Sequence, residues 1–235
     1  MRNFFTLNGV SSTTYGVYIS GQGTFNAPAR DYNIIPVPGR NGDLVGPEKR
    51  FLNGTLTYPA FIYSNFKTNI HDFRNFLLSL VGYHDLSDTY HPNEFRKVLF
   101  RGPFETEVES KNDAGRFEIE FECKPQRFLT SGNTKTTLTA NGSITNPTRF
   151  DSQPLLRVYG TGTLGIGSQS ITITQADTYT DIDCEMMDAF KGTANKNIYV
   201  QLTDYNFPVL KPGANNISLG TGITKVEITP RWWTL

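Results

Sequence analysis

Six glutamates fall into two alternating runs: Glu105, Glu107 and Glu109, then Glu118, Glu120 and Glu122. Carboxylates grouped in this way do acid–base chemistry only when burial raises the pKa of one of them. Between them lie Phe104, Thr106 and Val108 in the first run, and Phe117, Ile119, Phe121 and Cys123 in the second. That period of two predicts half-buried strands, and Lys111-Asn112-Asp113-Ala114-Gly115 has the composition of a turn joining them. The resulting hairpin puts its apolar residues on one face and all six glutamates on the other, which is solvated. Like charges facing across a ladder repel. Such a face suits basic residues of another subunit, or the wall of a passage that must not hold polyanions.

Other chemistries find no support. Gly160-Thr161-Gly162-Thr163-Leu164-Gly165 has dinucleotide-loop spacing. That spacing needs a helix N-terminus to receive the pyrophosphate, and the next residues, Ile166 to Ile173, read as strand, so a loop is expected. His71, His84 and His91 have no metal-ligand spacing, and no Gly-x-Ser-x-Gly elbow occurs. Cys123 and Cys184 are too few for a disulfide framework and are expected reduced and buried. No catalytic residue, metal or cofactor is expected. Trp232 and Trp233, after Pro230-Arg231, are expected to finish a core, at least one of them, rather than to form a sugar platform.

The elements that must carry these residues are mostly short strands. One helix is predicted, with Ser64 as N-cap, Phe66, Ile70, Phe73, Leu77 and Leu80 as its apolar stripe and Gly82 as C-cap glycine. Arg96–Arg101 reads as a strand before the hairpin. The 34–59 region, with four prolines and four glycines, is expected as irregular strand and exposed loop. Residues 131–147 are rich in Ser, Gly, Asn and Thr and end in Asn146-Pro147, which marks a domain boundary. Beyond it, strands are expected at Leu155–Tyr159, Ser170–Thr174, Thr178–Cys184, Asn197–Leu202, Asn216–Leu219 and Thr224–Thr229. That spacing predicts a β-sandwich. The domains expected are 1–132 and 146–235, with 133–145 as linker or first strand.

Composition narrows the partners. Among 235 residues, 22 Lys and Arg balance 22 Asp and Glu. A nucleic-acid binder relying on a basic face needs surplus cations. Zero net charge also permits self-association. Aromatic residues concentrate in the first 130 residues, which hold 21 of the 30, so the two domains differ in packing style. The N-terminus does not read as a secretory signal, and no apolar run is long enough to span a membrane.

The sequence resembles the distal tail proteins of long-tailed phages that infect Gram-positive bacteria. In the first domain the likeness rests on Pro38-Gly39-Arg40-Asn41-Gly42-Asp43-Leu44, Lys49-Arg50-Phe51, Phe95-Arg96-Lys97-Val98 and Phe121 through Leu129. In the second it rests on Asn146-Pro147-Thr148-Arg149-Phe150, Pro154 through Gly160, Ile182-Asp183-Cys184-Glu185, Phe207 through Gly213 and Pro230-Arg231-Trp232-Trp233. The number and order of these matches carry it, not any one of them.

The resemblance implies a structural protein, not an enzyme, in the virion at the phage tail tip, assembled in the host cytoplasm. It implies an N-terminal β-sandwich with one helix and a projecting β-hairpin, which makes a homohexameric ring. It also implies a galectin-like C-terminal β-sandwich. The partners implied are the tail tube protein, the tail-associated tip protein and a receptor-binding protein. At 235 residues the chain looks like the short form, without an inserted carbohydrate-binding module.

Gly39, Arg40, Asn41, Gly42 and Arg50 are expected at ring contacts or in shaping their loop. The six glutamates are expected in part to face the lumen or a subunit contact. The alternative is a carbohydrate-binding module that works in host adhesion, for which Tyr159, Tyr179, Tyr199 and Tyr205 are the candidate platforms.

Overall fold

The computed structural model describes residues 2–21, 23, 25–46, 50–109, 113–203 and 205–235. Of the expected hairpin turn, Lys111 and Asn112 lie outside the described residues, as does the side chain of Glu109. Lys49 lies outside them as well. The chain divides into two compact units. One runs to Arg127 and takes in Leu235; the other is Phe128–Thr234. Both are built of strands, with one α-helix among the described residues.

The first unit holds β1 (Phe5–Leu7), β2 (Val10–Ser11), β3 (Tyr18–Ile19), β4 (Ile34–Ile35), β5 (Leu44–Val45), β6 (Gly54–Ile62), α1 (Phe66–Ser79), β7 (His84–Asp88), β8 (Glu94–Leu99), β9 (Thr106–Glu109) and β10 (Ala114–Leu129). Its main sheet has the order β2-β1-β7-β8-β10-β6-β3, and β9 pairs with the start of β10. Among the described residues β4 and β5 pair only with each other. Alternation decides which face is buried: Leu56, Tyr58, Ala60 and Ile62 of β6 and Phe117, Ile119 and Phe121 of β10 all point into the core.

α1 covers that face with Phe66, Phe73 and Leu77, and Ile70 and Leu80 pack at its margin. The stripe is the one the spacing predicts, but both helix ends differ from expectation. Asn65, not Ser64, is the N-cap. It sits in the left-handed region at φ 52° and makes no side-chain cap. Its N–H instead donates to Asp113 Oδ1 at 3.1 Å. Leu80 turns extended at the C-terminus, and Gly82 lies beyond it with φ 87°.

Aromatic rings fill the core. Phe73 lies 6.3 Å from Phe5 and from Phe104, and Phe5 stacks on Tyr58 at 5.7 Å. Each such side chain contributes about 1.5–3 kcal/mol on burial.

The last residues of the 34–59 region are not irregular: they form the first two-thirds of β6. Pro59 is tolerated within that strand because its backbone polar atoms face away from β10. Its carbonyl accepts from Ser20 N–H at 2.8 Å, so the missing N–H removes no bond to β10.

The second unit holds β11 (Thr136–Leu138), β12 (Gly142–Asn146), β13 (Leu155–Gly160), β14 (Gly162–Ile166), β15 (Gln169–Ile173), β16 (Tyr179–Asp183), β17 (Asp188–Lys191), β18 (Ala194–Asn195), β19 (Val200–Leu202), β20 (Gly213–Leu219), β21 (Ile223–Thr229) and β22 (Trp233–Thr234). A six-stranded sheet, β11-β21-β13-β16-β17-β18, and a five-stranded sheet, β12-β20-β14-β15-β19, share one core. Leu156, Val158, Leu164, Ile166, Ile171, Ile182, Val226 and Ile228 are its buried members. This is sandwich packing, with buried residues alternating along β12, β13, β14, β15 and β20. Residues 131–147 form the end of a 3-10 turn and then β11 and β12. β14 and β17, which sequence reasoning missed, are short strands closed by tight turns.

Candidate functional site

Two surfaces of the first unit gather the residues singled out above. The first is an arm. Its root is held by three backbone bonds: Leu52 N–H donates to Ala29 O, Asp31 N–H to Arg50 O and Gly46 N–H to Asn33 O, at 2.8–3.0 Å. β4 and β5 continue it, with Ile34 opposite Val45 and Ile35 opposite Leu44. Alternation places one pair on each face of the ribbon. All four are bare: Ile34 is 58 % exposed, Ile35 46 %, Leu44 42 % and Val45 60 %. The tip carries Gly39, Arg40, Asn41 and Gly42. Both glycines hold φ near +80° with nothing close to where a Cβ would stand. Their role is therefore conformational: a left-handed turn that other residues enter at a cost.

Within the arm the expected residues separate. Arg50 sits at the root, 3.9 Å from Asp31. Arg30 lies over the Phe51 ring at 4.3 Å. Arg40 stands at the tip, and its guanidinium forms no ion pair among the described residues.

The second surface is the outer face of the main sheet. In β10, Glu118 lies opposite Pro59, Glu120 opposite Thr57 and Glu122 opposite Thr55. On the hairpin side Glu107 lies opposite Arg116. The described glutamates therefore share one face, as alternation predicts. Glu105, Glu107, Glu118 and Glu120 are exposed and form no ion pair among the described residues. Glu122 differs: Arg101 Nη2 approaches it at 2.8 Å and Asn53 Nδ2 donates to it at 2.6 Å. Nothing local in the sequence signals that pairing.

A trough of about 1090 Å³ opens on this face. Phe61 and Tyr63 line it together with Glu105, Glu107, Glu118 and Glu120. A hollow of about 420 Å³ next to Glu120 and Glu122 is lined by Asn53, Thr55 and Arg101. Tyr63 also belongs to an aromatic group that sequence reasoning missed. Tyr18 lies 5.6 Å from it, and the Arg2 guanidinium sits 4.1 Å over its ring.

The remaining candidates have structural settings. Gly160 and Gly162 turn the chain from β13 into β14, so a strand and not a helix follows the glycine spacing. A Cβ on Gly160 would meet Gly222 O at 2.1 Å. His91 Nδ1 lies 3.2 Å from Asp88 Oδ1, and Tyr58 Oη donates to Asp88 Oδ2 at 2.5 Å. His84 contacts Val81 O, and His71 contacts Asn75. Both cysteines are unpaired and buried, and burial pushes the Cys184 thiol up to about 12, too high for a reactive thiolate. Trp232 is buried, and Trp233 stacks on Phe150 at 4.4 Å.

Tyr159 and Tyr179 lie on β13 and β16 of the six-stranded sheet, Tyr199 ends the 3-10 turn before β19, and Tyr205 lies in the loop after it. Lys225 Nζ stands 3.9 Å over the Tyr159 ring, and Arg157 stands 4.3 Å over Tyr179. Lys196 lies 5.4 Å from Tyr199. One face of each of these rings is thus occupied by a cation, where a sugar platform needs it bare. Tyr205 alone of the four is almost fully exposed. Glu227 organises the surface around Tyr159. Hydrogen bonds from Lys225 and Lys135 hold its carboxyl down at about 2.

The whole chain matches solved phage structures. The SPP1 Dit protein, described as a paradigm of the hub adsorption apparatus in Gram-positive-infecting phages, superposes with a TM-score of 0.76 at 12 % identity over 100 % of both chains. The chain has a Dit-type fold. A chain of the phage p2 baseplate, in its activated conformation with Sr, gives a TM-score of 0.53 at 12 % identity, covering 96 % of this chain and 97 % of that one. No family model matches the sequence, and no curated protein matches it. The Dit-type fold agrees with the two-domain β architecture and single helix that the sequence predicts. At this identity the likeness is one of fold, and it extends end to end.

Proposed function

We propose that the chain is a structural distal tail protein, a hub that joins the phage tail tube to the tip or baseplate and anchors host-recognition proteins. The observation that supports this best is the end-to-end match to the SPP1 Dit protein. In this reading six copies close into a ring through their first units. The arm reaches a neighbouring copy, with Gly39, Arg40, Asn41, Gly42 and Arg50 forming or shaping the contact. The acidic face, with Glu105, Glu107, Glu109, Glu118, Glu120 and Glu122, serves the lumen or a subunit contact. An acidic wall lets a polyanionic genome pass without sticking, since it offers no cation to the phosphates.

The bare aliphatic residues of the arm favour this assignment, because contiguous exposed apolar surface marks interaction sites. The partners assigned are the tail tube protein, the tail-associated tip protein and a receptor-binding protein, and the place is the virion tail tip. No catalytic role is assigned. The carbohydrate-binding alternative lacks comparable support, given the cations over Tyr159, Tyr179 and Tyr199.

Sedimentation across a concentration series tests the reading. A hexameric species whose negative-stain images show a central hole supports it. A monomer at every concentration that also fails to join purified tail tubes overturns it.

A further inference from the structure

The unpaired charges of the first unit point to a partnership between two copies. Resting on the ring reading, we propose that the arm of one copy lies in the acidic trough of the next, with the Arg40 guanidinium meeting Glu105, Glu107, Glu118 and Glu120. Four observations carry this. Those four carboxylates have no ion-pair partner of their own among the described residues, and Glu122, which has Arg101, lies outside the trough. Arg40 stands at the end of the arm and forms no ion pair among the described residues, Asp43 included. The arm presents aliphatic side chains on both faces, and the trough offers Phe61 and Tyr63 beside its glutamates. The trough, at about 1090 Å³, lies open on the outer face of the sheet, where a ribbon of polypeptide can enter it.

A cation entering the trough relieves the mutual repulsion of the glutamates, and a guanidinium fork matches carboxylates two at a time. The tip also carries Asp43, so the pairing depends on where Arg40 is placed and not on net charge. Arg116 is the trough's own cation, opposite Glu107. The arrangement selects for register, since a tip shifted along the trough would bring Asp43 to the glutamates.

Charge exchange tests the pairing. Three forms of the full chain are compared with the wild type by sedimentation: Arg40→Glu, Glu105→Arg with Glu120→Arg, and all three substitutions together. All substituted positions are exposed, and circular dichroism verifies folding. Each partial reversal is expected to weaken association at least about tenfold, and the combination to restore most of it.

A mixture of two chains, one Asn41→Cys and the other Pro103→Cys, gives a second measurement. It is expected to form a disulfide between the two different chains. Association that survives the reversals, or is not restored by their combination, overturns the pairing and leaves the ring standing. A wild-type chain that is monomeric at all concentrations, with no mixed disulfide, overturns both.

Discussion

The guanidinium of Arg231 grips both carboxylate oxygens of Asp183, at 2.7 and 2.8 Å. Burial alone would raise the Asp183 carboxyl. Arg231, with the backbone N–H groups of Met186 and Glu185, outweighs that and holds it below the usual range. Arg231 does this from a left-handed backbone at φ 57°, a conformation costly for a side chain of its size. Its N–H also donates to Gly132 O. The fork thus fastens the end of the second unit's chain to its six-stranded sheet. Arg231→Ala leaves the buried Asp183 carboxylate without its cation, and is expected to cost about 2 kcal/mol, read as a lower midpoint in urea unfolding.

Acid should undo the same unit. The Asp183 and Glu227 carboxyls both lie lower in the folded chain than their ordinary values, Glu227 at about 2 against 4.5. A lowered folded pKa contributes stability above the unfolded value and loses it as pH falls through the folded one. Stability is therefore expected to hold above pH 4.5 and to decline from there toward pH 2. Trp232 and Trp233 are the two tryptophans of the chain and both lie in the second unit, so their fluorescence reports that unit alone. Glu227→Gln is expected to flatten this acid limb.

The arm separates stability from assembly. Ile34 and Val45 are both more than half exposed, so replacing them with Thr is expected to change the unfolding free energy by no more than about 0.5 kcal/mol. The same double change is expected to reduce self-association several-fold in sedimentation. A large loss of stability with unchanged association would mean that the two residues serve their own chain's fold.

Gly160 is fixed by close approach. Its φ of +99° and the Gly222 carbonyl together leave no room for a methyl group. Gly160→Ala is expected to destabilise the second unit by about 3 kcal/mol or more. Thermal unfolding followed by tryptophan fluorescence checks this.

Those glycines show why a motif is legible only in context. Their spacing fits a phosphate loop and a β-turn equally, and the strand-like residues after Gly165 decide for the turn. Alternation along Phe117–Cys123 was enough to place every described glutamate of β10 on one face. The helix stripe was equally plain. Its ends were not, because the N–H of Asn65 is satisfied by Asp113, a residue 48 positions away. For the same reason Arg101 could not be assigned to Glu122, nor Arg2 to the rings of Tyr18 and Tyr63. Such partners are set by how strands come together. The arm was hidden differently: two strands of two residues each are too short to show a period, and the prolines and glycines around them dominate the local signal.

Among the described residues the two strands of the arm pair only with each other, which leaves both outer backbone edges of the ribbon uncapped there. Edges of this kind, flanked by aliphatic side chains, are templates for indiscriminate strand addition. A copy without neighbours is thus expected to be prone to self-association, with a soluble fraction that falls as expression rises. Ile34→Lys is expected to raise the yield of soluble chain while weakening the association of its copies.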